Sequence, residues 1–273
     1  MKSITAEILR PAFEPVALLW SDTKPDGALQ ISPHARTCIM PCFVQVVTKG
    51  ETAVFDRETC GCPGARTGLG LGNDFIDALG GAGAGSLFEF FVNGAASSSD
   101  PDAYCAAVLQ VRKEKVRTTL GERSHSSGEE TGQFMTWELP ITDITERYVI
   151  VTPLSRVKPD ERPVVVIFVA SPLQIAGLVT LVGSIREGTD PVRVPPRPAC
   201  QQIGAFVYDE AKKEHPRAVL GYTDLATQAN VGMALPEHMF TFAVPFSLFT
   251  EMEEKAEDGV FDGPIWRGLV GEV

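Results

Sequence analysis

Three features of the sequence predict an α+β fold, a mixed β-sheet with packed helices, built as a single compact domain over residues 1–273 that has room for two similar α/β halves. Apolar runs short enough for strands alternate with stretches of helical spacing, which is the pattern of sheet and helix layered on a shared core. Clusters of Gly, Pro, Asp and Ser punctuate those runs where the chain must reverse. The third feature is a weak internal recurrence. A helix ending at Gly50 is followed twelve residues later by Cys62, and a helix ending at Gly188 is followed at the same distance by Cys200. A duplicated unit of this kind places Cys62 and Cys200 near a pseudo-twofold axis.

Taken in order, Pro15 to Trp20 (PVALLW) is a buried strand, ended by the turn-rich SDTKPDG. A helix starts near Pro41, with Cys42, Phe43, Val46 and Val47 on its apolar face and Gly50 after Lys49 as its stop. TAVFD is a strand that delivers the chain to Cys60-Gly61-Cys62-Pro63-Gly64. The glycine-rich stretch from Arg66 to Gly85 has room for a short helix around Asp74 to Leu79, and SLFEFFVNG reads as another, closed by Gly94. Asp100-Pro101 pairs an N-cap with a first-turn proline and opens a helix to about Val116. Residues 118–134 are polar and aperiodic, an exposed insertion within the domain.

Beyond the insertion, YVIVTPL is extended and VVVIFVA is a buried strand. Ser171-Pro172 then caps the helix LQIAGLVTLVGSI. A turn-rich TDPVRVPPRPAC precedes a helix over Gln201 to Glu210. RAVLGY and TFAVP are strands, and FSLFTEMEEKAED is an amphipathic closing helix that leaves Glu251, Glu253 and Glu254 on a solvated face.

Composition narrows the partners. A net charge of −11 and a pI near 4.9, without a long run of Lys and Arg, exclude nucleic acid as an expected ligand. Residues 164–185 carry no charge and are long enough to span a bilayer, but the β-branched half and the Ser-Pro break divide them into a buried strand and a buried helix. No membrane contact is expected. Glu7 and Arg10 interrupt any signal-peptide core, so a cytoplasmic location is expected. A homo-oligomer is compatible with the sequence.

The most informative residues are the cysteines. Cys38, Cys42, Cys60 and Cys62 fall in one window spaced C-x3-C-x17-C-x-C, with Cys200 far downstream. In a reducing compartment, clustered thiols point to metal or redox chemistry more than to disulfides. Convergence of Cys38, Cys42, Cys62 and Cys200, with Cys60 in reserve, gives enough sulfur for a zinc ion or an iron–sulfur cluster. Cys42 after Pro41 and Cys200 before a helix are expected to be acidified by amide N–H groups at a helix start. The competing reading is packing, because cysteine is among the most buried residues; it holds for Cys105 on a helix face, and equally with function for Cys38 and Cys42.

The remaining motifs are weaker. His34 is near Cys38 in sequence, but His34, His125, His215 and His238 form no H-x3-H or H-E-x2-H pattern. Gly68, Gly70 and Gly72 suggest a loop that wraps a phosphate or cofactor, yet lack the Lys-Ser/Thr ending of a P-loop and the dinucleotide spacing. A turn or a close helix contact explains them as well.

PVALLW, TCIMPCFVQVVTKGE, CGCPGARTGLGLG, YVIVTPL, PVVVIFVASPLQ, Cys200 and GMALPEHMF, in this order from about Pro15 to Met252, resemble the uncharacterised family known as domain of unknown function 169. The resemblance implies a cysteine opening the helix before K-G-E, at Cys42 or Cys38, a second at Cys62, a P-x-Q helix start at Gln174 and a later cysteine at Cys200. The family's Gly and Arg after the strand ending at Gly221 are replaced by YTDLATQ, with Asp224 and no Arg. The resemblance implies a fold and a set of cysteines and leaves the reaction open. Two functions are carried forward: a metal-binding or redox protein using its cysteines, or a non-catalytic module that binds a small-molecule ligand through the glycine-rich loop and a pocket between the halves.

Overall fold

The computed structural model describes residues 1–31, 38–60, 62–72, 139–196, 198–224, 227–228, 235–236 and 238–271. The helices expected near 74–79, 86–94 and 100–116, the insertion at 118–134, and Cys105, His34 and His125 lie outside the described residues. One sheet contains β1 (Val16–Ser21), β2 (Leu29–Gln30), β3 (Ala53–Phe55), β4 (Tyr148–Pro153), β5 (Val165–Ala170), β6 (Val192–Arg193), β7 (Ala218–Gly221) and β8 (Phe240–Pro245). Their order is β2-β3-β4-β1-β5-β8-β7-β6.

Read outward from the β1/β5 seam, that order is the same in both directions, with β1, β4, β3, β2 answered by β5, β8, β7, β6. Both outermost pairs are parallel and every other pair is antiparallel. Register repeats as well. Pro153 stands opposite Val16 and Pro245 opposite Val165. The Leu154 N–H donates to the Pro15 carbonyl at 2.8 Å, and the Phe246 N–H donates to the Val164 carbonyl at 3.1 Å. The sequence cause is visible in YVIVTPLS and FTFAVPFS, two alternating strands each closed by a proline. The recurrence expected at Gly50 and Gly188 therefore exists in a different alignment. Because β2 answers β6, the chain leading to Cys38 corresponds to the chain leading to Cys200.

Alternate residues of each strand face opposite layers. On one side, Val16, Leu18, Phe55, Val151, Ile167 and Val219 pack under α2 (Met40–Lys49), α3 (Pro63–Leu69), α5 (Ala199–Gln202) and α6 (Ala205–Glu210). On the other, Ala17, Leu19, Val54, Val166, Phe168 and Phe242 pack under α1 (Ile4–Leu9), α4 (Pro172–Ile185) and α7 (Phe246–Glu257), with α8 (Pro264–Leu269) beside them. On α4, Ser171 and Gln174 form a capping box, so the uncharged run is a buried strand followed by a capped helix; that helix is not buried as expected, since it packs through Gly177, Leu178, Leu181 and Val182 and leaves Leu173 and Val179 exposed. No helix among the described residues is long and apolar enough to cross a membrane.

Two of the terminal carboxylates are structural, which corrects the expectation of a merely solvated face. Glu253 accepts from Ser3 Oγ at 2.9 Å and from the Ile4 and Thr5 amides, so it caps α1, a helix the sequence reading did not find. Glu251 takes both guanidinium arms of Arg186, at 2.6 and 2.7 Å. That pairing holds its carboxyl below the usual range.

Candidate functional site at the junction of α3 and α5

Each cysteine reaches the α2, α3 and α5 layer by a turn that the local sequence dictates. After β3, Asp56 Oδ1 accepts from the Glu58 amide (2.9 Å), the Thr59 amide (2.7 Å) and Thr59 Oγ1 (2.9 Å). The Asp56 carbonyl accepts from the Cys60 amide at 3.0 Å, so this D-x-x-T turn fixes where Cys60 leaves the strand. Cys60 is buried, and Cys62 is the N-cap of α3, with Pro63 at the first helical position. A short helix the sequence reading did not find, α3, spans Pro63–Leu69 and overlaps the start of the glycine-rich stretch from Arg66.

After β7 the chain makes the corresponding move. Asp224 Oδ1 accepts from the Thr227 amide at 2.7 Å, while Oδ2 accepts from the Ala199 amide at 2.8 Å. One buried carboxylate thus caps its own turn and fixes the start of α5 beside Cys200. The departure from the family pattern at YTDLATQ carries this second cap. Gln202 Nε2 donates to the Pro195 carbonyl (2.7 Å) and Thr223 Oγ1 (2.8 Å), and its Oε1 accepts from the Tyr222 amide (2.7 Å), binding α5 to the end of β7.

The halves touch through glycine. A Cβ on Gly68 would sit 2.7 Å from the Cys200 carbonyl oxygen, and one on Gly204 would sit 2.0 Å from the Gly68 carbonyl oxygen. This contact also breaks the expected Gln201–Glu210 helix into α5 and α6. Gly70 ends α3 at φ +82°, and Gly72 follows at φ +102°. Gly68, Gly70 and Gly72 therefore serve close packing and left-handed turns. Two surface clefts, about 540 Å³ lined by Lys2, Phe246 and Phe249 among others, and about 270 Å³ lined by Asp26, Glu51 and Arg156 among others, include none of these glycines and no cysteine.

Across the glycine contact, Cys200 Sγ donates to the Gly64 carbonyl at 3.6 Å, joining positions 136 residues apart in sequence. Cys60 and Cys200 belong to one buried cluster, with Cys42 and Cys62 packed against it. The Met40 amide points at Cys38 Sγ, 3.4 Å away, at the start of α2; the Cys38 residue is exposed overall, while its thiol is crowded by protein.

The thiols are not acidified. Desolvation raises all five, against the expectation for Cys42 and Cys200, because loss of water outweighs a few helix-start amides. Cys38 is pushed up to about 12, by desolvation first and then by negative charge on Cys62. Charge on Cys62 and Cys38 also raises Cys60 and Cys200, and Asp224 adds to the effect at Cys38 and Cys200. For Cys62, burial is opposed by the amides of Ala65 and Gly64. At neutral pH the group is a set of protonated thiols whose simultaneous ionisation is opposed by mutual repulsion. Among the described residues no group of three His, Cys, Asp or Glu side chains is placed so that it could hold a metal ion.

Sequence reasoning missed Tyr222 and Gln201. Among the described residues, Tyr222 is 2% exposed with no partner for its hydroxyl, and Gln201 is 1% exposed with none for either amide atom. Nothing local in the sequence marks either, since only the fold buries them. No curated protein and no solved structure matches the chain. The family model described as uncharacterised ArCR matches residues 6–255 of 273, so the chain belongs to that family, domain of unknown function 169.

Proposed function

We propose that the protein binds a thiophilic metal centre, a zinc ion or an iron–sulfur cluster, through Cys38, Cys62 and Cys200, with Cys60 and Cys42 as the adjoining thiols. The observation that carries this reading is the Cys200 thiol lying against the Gly64 carbonyl, at the helix start that Cys62 caps. Thiols that oppose one another's ionisation need a cation to become thiolates together, and a divalent metal or cluster iron is the cation that sulfur prefers. Binding would release the thiol protons and draw the side chains inward, coupling metal uptake to local order. When bound, such a centre supplies electron transfer if it is a cluster, or a structural tie between the halves if it is zinc.

Anaerobic purification followed by elemental analysis and visible absorption tests the proposal. The expected result is zinc, or iron with sulfide, in stoichiometric amount, strongly reduced in Cys62→Ser and Cys200→Ser. A colourless protein that neither contains nor takes up either metal overturns it. Neither of the two clefts described above is lined by Gly68, Gly70 or Gly72, so neither supports a small-molecule module there.

A further inference from the structure

The register that relates the two halves of the sheet also matches their outer corners residue by residue. Ala53 stands opposite Val151 and Val219 opposite Ala243; Leu29 then pairs with Ala53 as Arg193 pairs with Val219. Three residues before Leu29 and Arg193 lie Asp26 and Asp190, and two residues before Ala53 and Val219 lie Glu51 and Arg217. In the C-terminal half this corner is closed by charge. Arg217 Nη1 donates to Asp190 Oδ2, and its Nη2 donates to Glu210 Oε1 at 2.9 Å. In the N-terminal half the aspartate is kept, but a second carboxylate, Glu51, stands where the guanidinium would be.

The corner that lacks the guanidinium is open. It is a cleft of about 270 Å³ whose lining includes Asp26, Leu29, Glu51, Thr52 and Arg156. Glu51 Oε2 is buried with no hydrogen-bond partner, and among the described residues no ion pair holds Asp26, Glu51 or Arg156. Neighbouring donors are already occupied. The Leu29 amide donates to the Thr52 carbonyl at 2.8 Å, and Thr52 Oγ1 shares a hydrogen bond with Thr152 Oγ1 at 2.6 Å. A carboxylate oxygen withdrawn from water without a donor is unfavourable, and a cation set beside it offsets that cost. Arg156, on the turn after β4, brings the opposite sign to the same cleft.

We propose that this cleft binds a small amino acid, whose ammonium group lies with Asp26 and Glu51 as the Arg217 guanidinium lies with Asp190, and whose carboxylate pairs with Arg156. Ligand pockets run to about 300–1,000 Å³, so a cleft of about 270 Å³ admits only a small guest. It contains no cysteine, and the inference is independent of the metal reading.

Thermal melting of the full chain with each of the common L-amino acids is the first measurement. At least one of them raises the melting temperature. Calorimetric titration of the amino acid with the largest shift then compares wild type with Glu51→Gln, Arg156→Met and Glu51→Arg, the last supplying in cis the cation found in the other half. Affinity falls about tenfold in Glu51→Gln and in Arg156→Met, and binding is lost in Glu51→Arg. The matching amine without the carboxylate and the matching acid without the ammonium group each bind wild type about tenfold more weakly than the amino acid. Absence of any shift across the amino acids overturns the proposal. So does unchanged affinity in Glu51→Gln or Arg156→Met, or an amine or acid that binds as well as the amino acid. Glu51→Gln, which keeps the shape and removes one charge, decides the matter if Glu51→Arg does not fold.

Discussion

The N-terminal and C-terminal halves of the sheet share strand order and register, yet they place different groups at matching helix starts. After β3, the cap of the following helix is Cys62; after β7, the cap of the following turn is Asp224. Asp224 spends both oxygens on backbone amides and so completes its own half. Cys62 is a poorer cap, and its side chain makes no cap hydrogen bond to α3. In the opposite layer α4 carries the capping box that the sequence pattern gives, but it buries only part of its surface and leaves Leu173 and Val179 exposed.

The comparison breaks most severely at the glycine contact between halves. Gly204→Ala drives a methyl into the Gly68 carbonyl, and we expect a loss of about 3 kcal/mol in chemical denaturation. A loss under about 1 kcal/mol would show that α3 and α5 separate without cost. Next in size, Asp224→Ala frees the Ala199 and Thr227 amides and should cost about 2 kcal/mol, with α5 gaining hydrogen-exchange rate. Exchange unchanged at Ala199 would contradict the cap.

Cys62→Asp makes the first half resemble the second. Because Asp is a good N-cap, stability of the metal-free chain should stay within about 1 kcal/mol of wild type while thiophilic metal binding is lost. Retention of metal by this variant would separate Cys62 from the site. A pH series sharpens the same contrast. A thiol whose folded pKa is raised stabilises the fold through its neutral form, fully below its ordinary value of 9.0, and that contribution fades as pH rises toward the 12 of Cys38. The denaturation midpoint of the metal-free chain should fall as pH goes from about 8 to about 10.5, and less so in Cys38→Ser. The smallest effect belongs to the other layer. Glu251→Gln leaves one hydrogen bond to Arg186 and should cost about 0.5 kcal/mol, measured by the same denaturation.

Much of the fold was legible from residues because its strands are apolar runs with clear ends. Val165–Ala170, the capped helix after Ser171 and the stop at Gly50 all follow from local chemistry. The break at Gly204 was not legible, since it depends on Gly68 arriving from far along the chain. Short β2 and β6 were missed because two-residue strands carry no periodicity. Acidified thiols were expected from helix starts alone, and burial reversed that sign. Asp224 was seen as a missing arginine, although its Asp-x-x-Thr spacing matches Asp56 to Thr59 and signals a cap. Tyr222 gave no signal because only the fold buries it.

The central claim is that the halves meet to share one metal centre, and anaerobic Co²⁺ titration of wild type, Cys62→Asp and Cys200→Ser tests it most directly. The account predicts one thiolate-bound cobalt per wild-type chain and loss of that binding in both variants, one from each half. Uptake by the wild type that survives in either variant would contradict a shared centre, and no uptake at all would contradict metal binding.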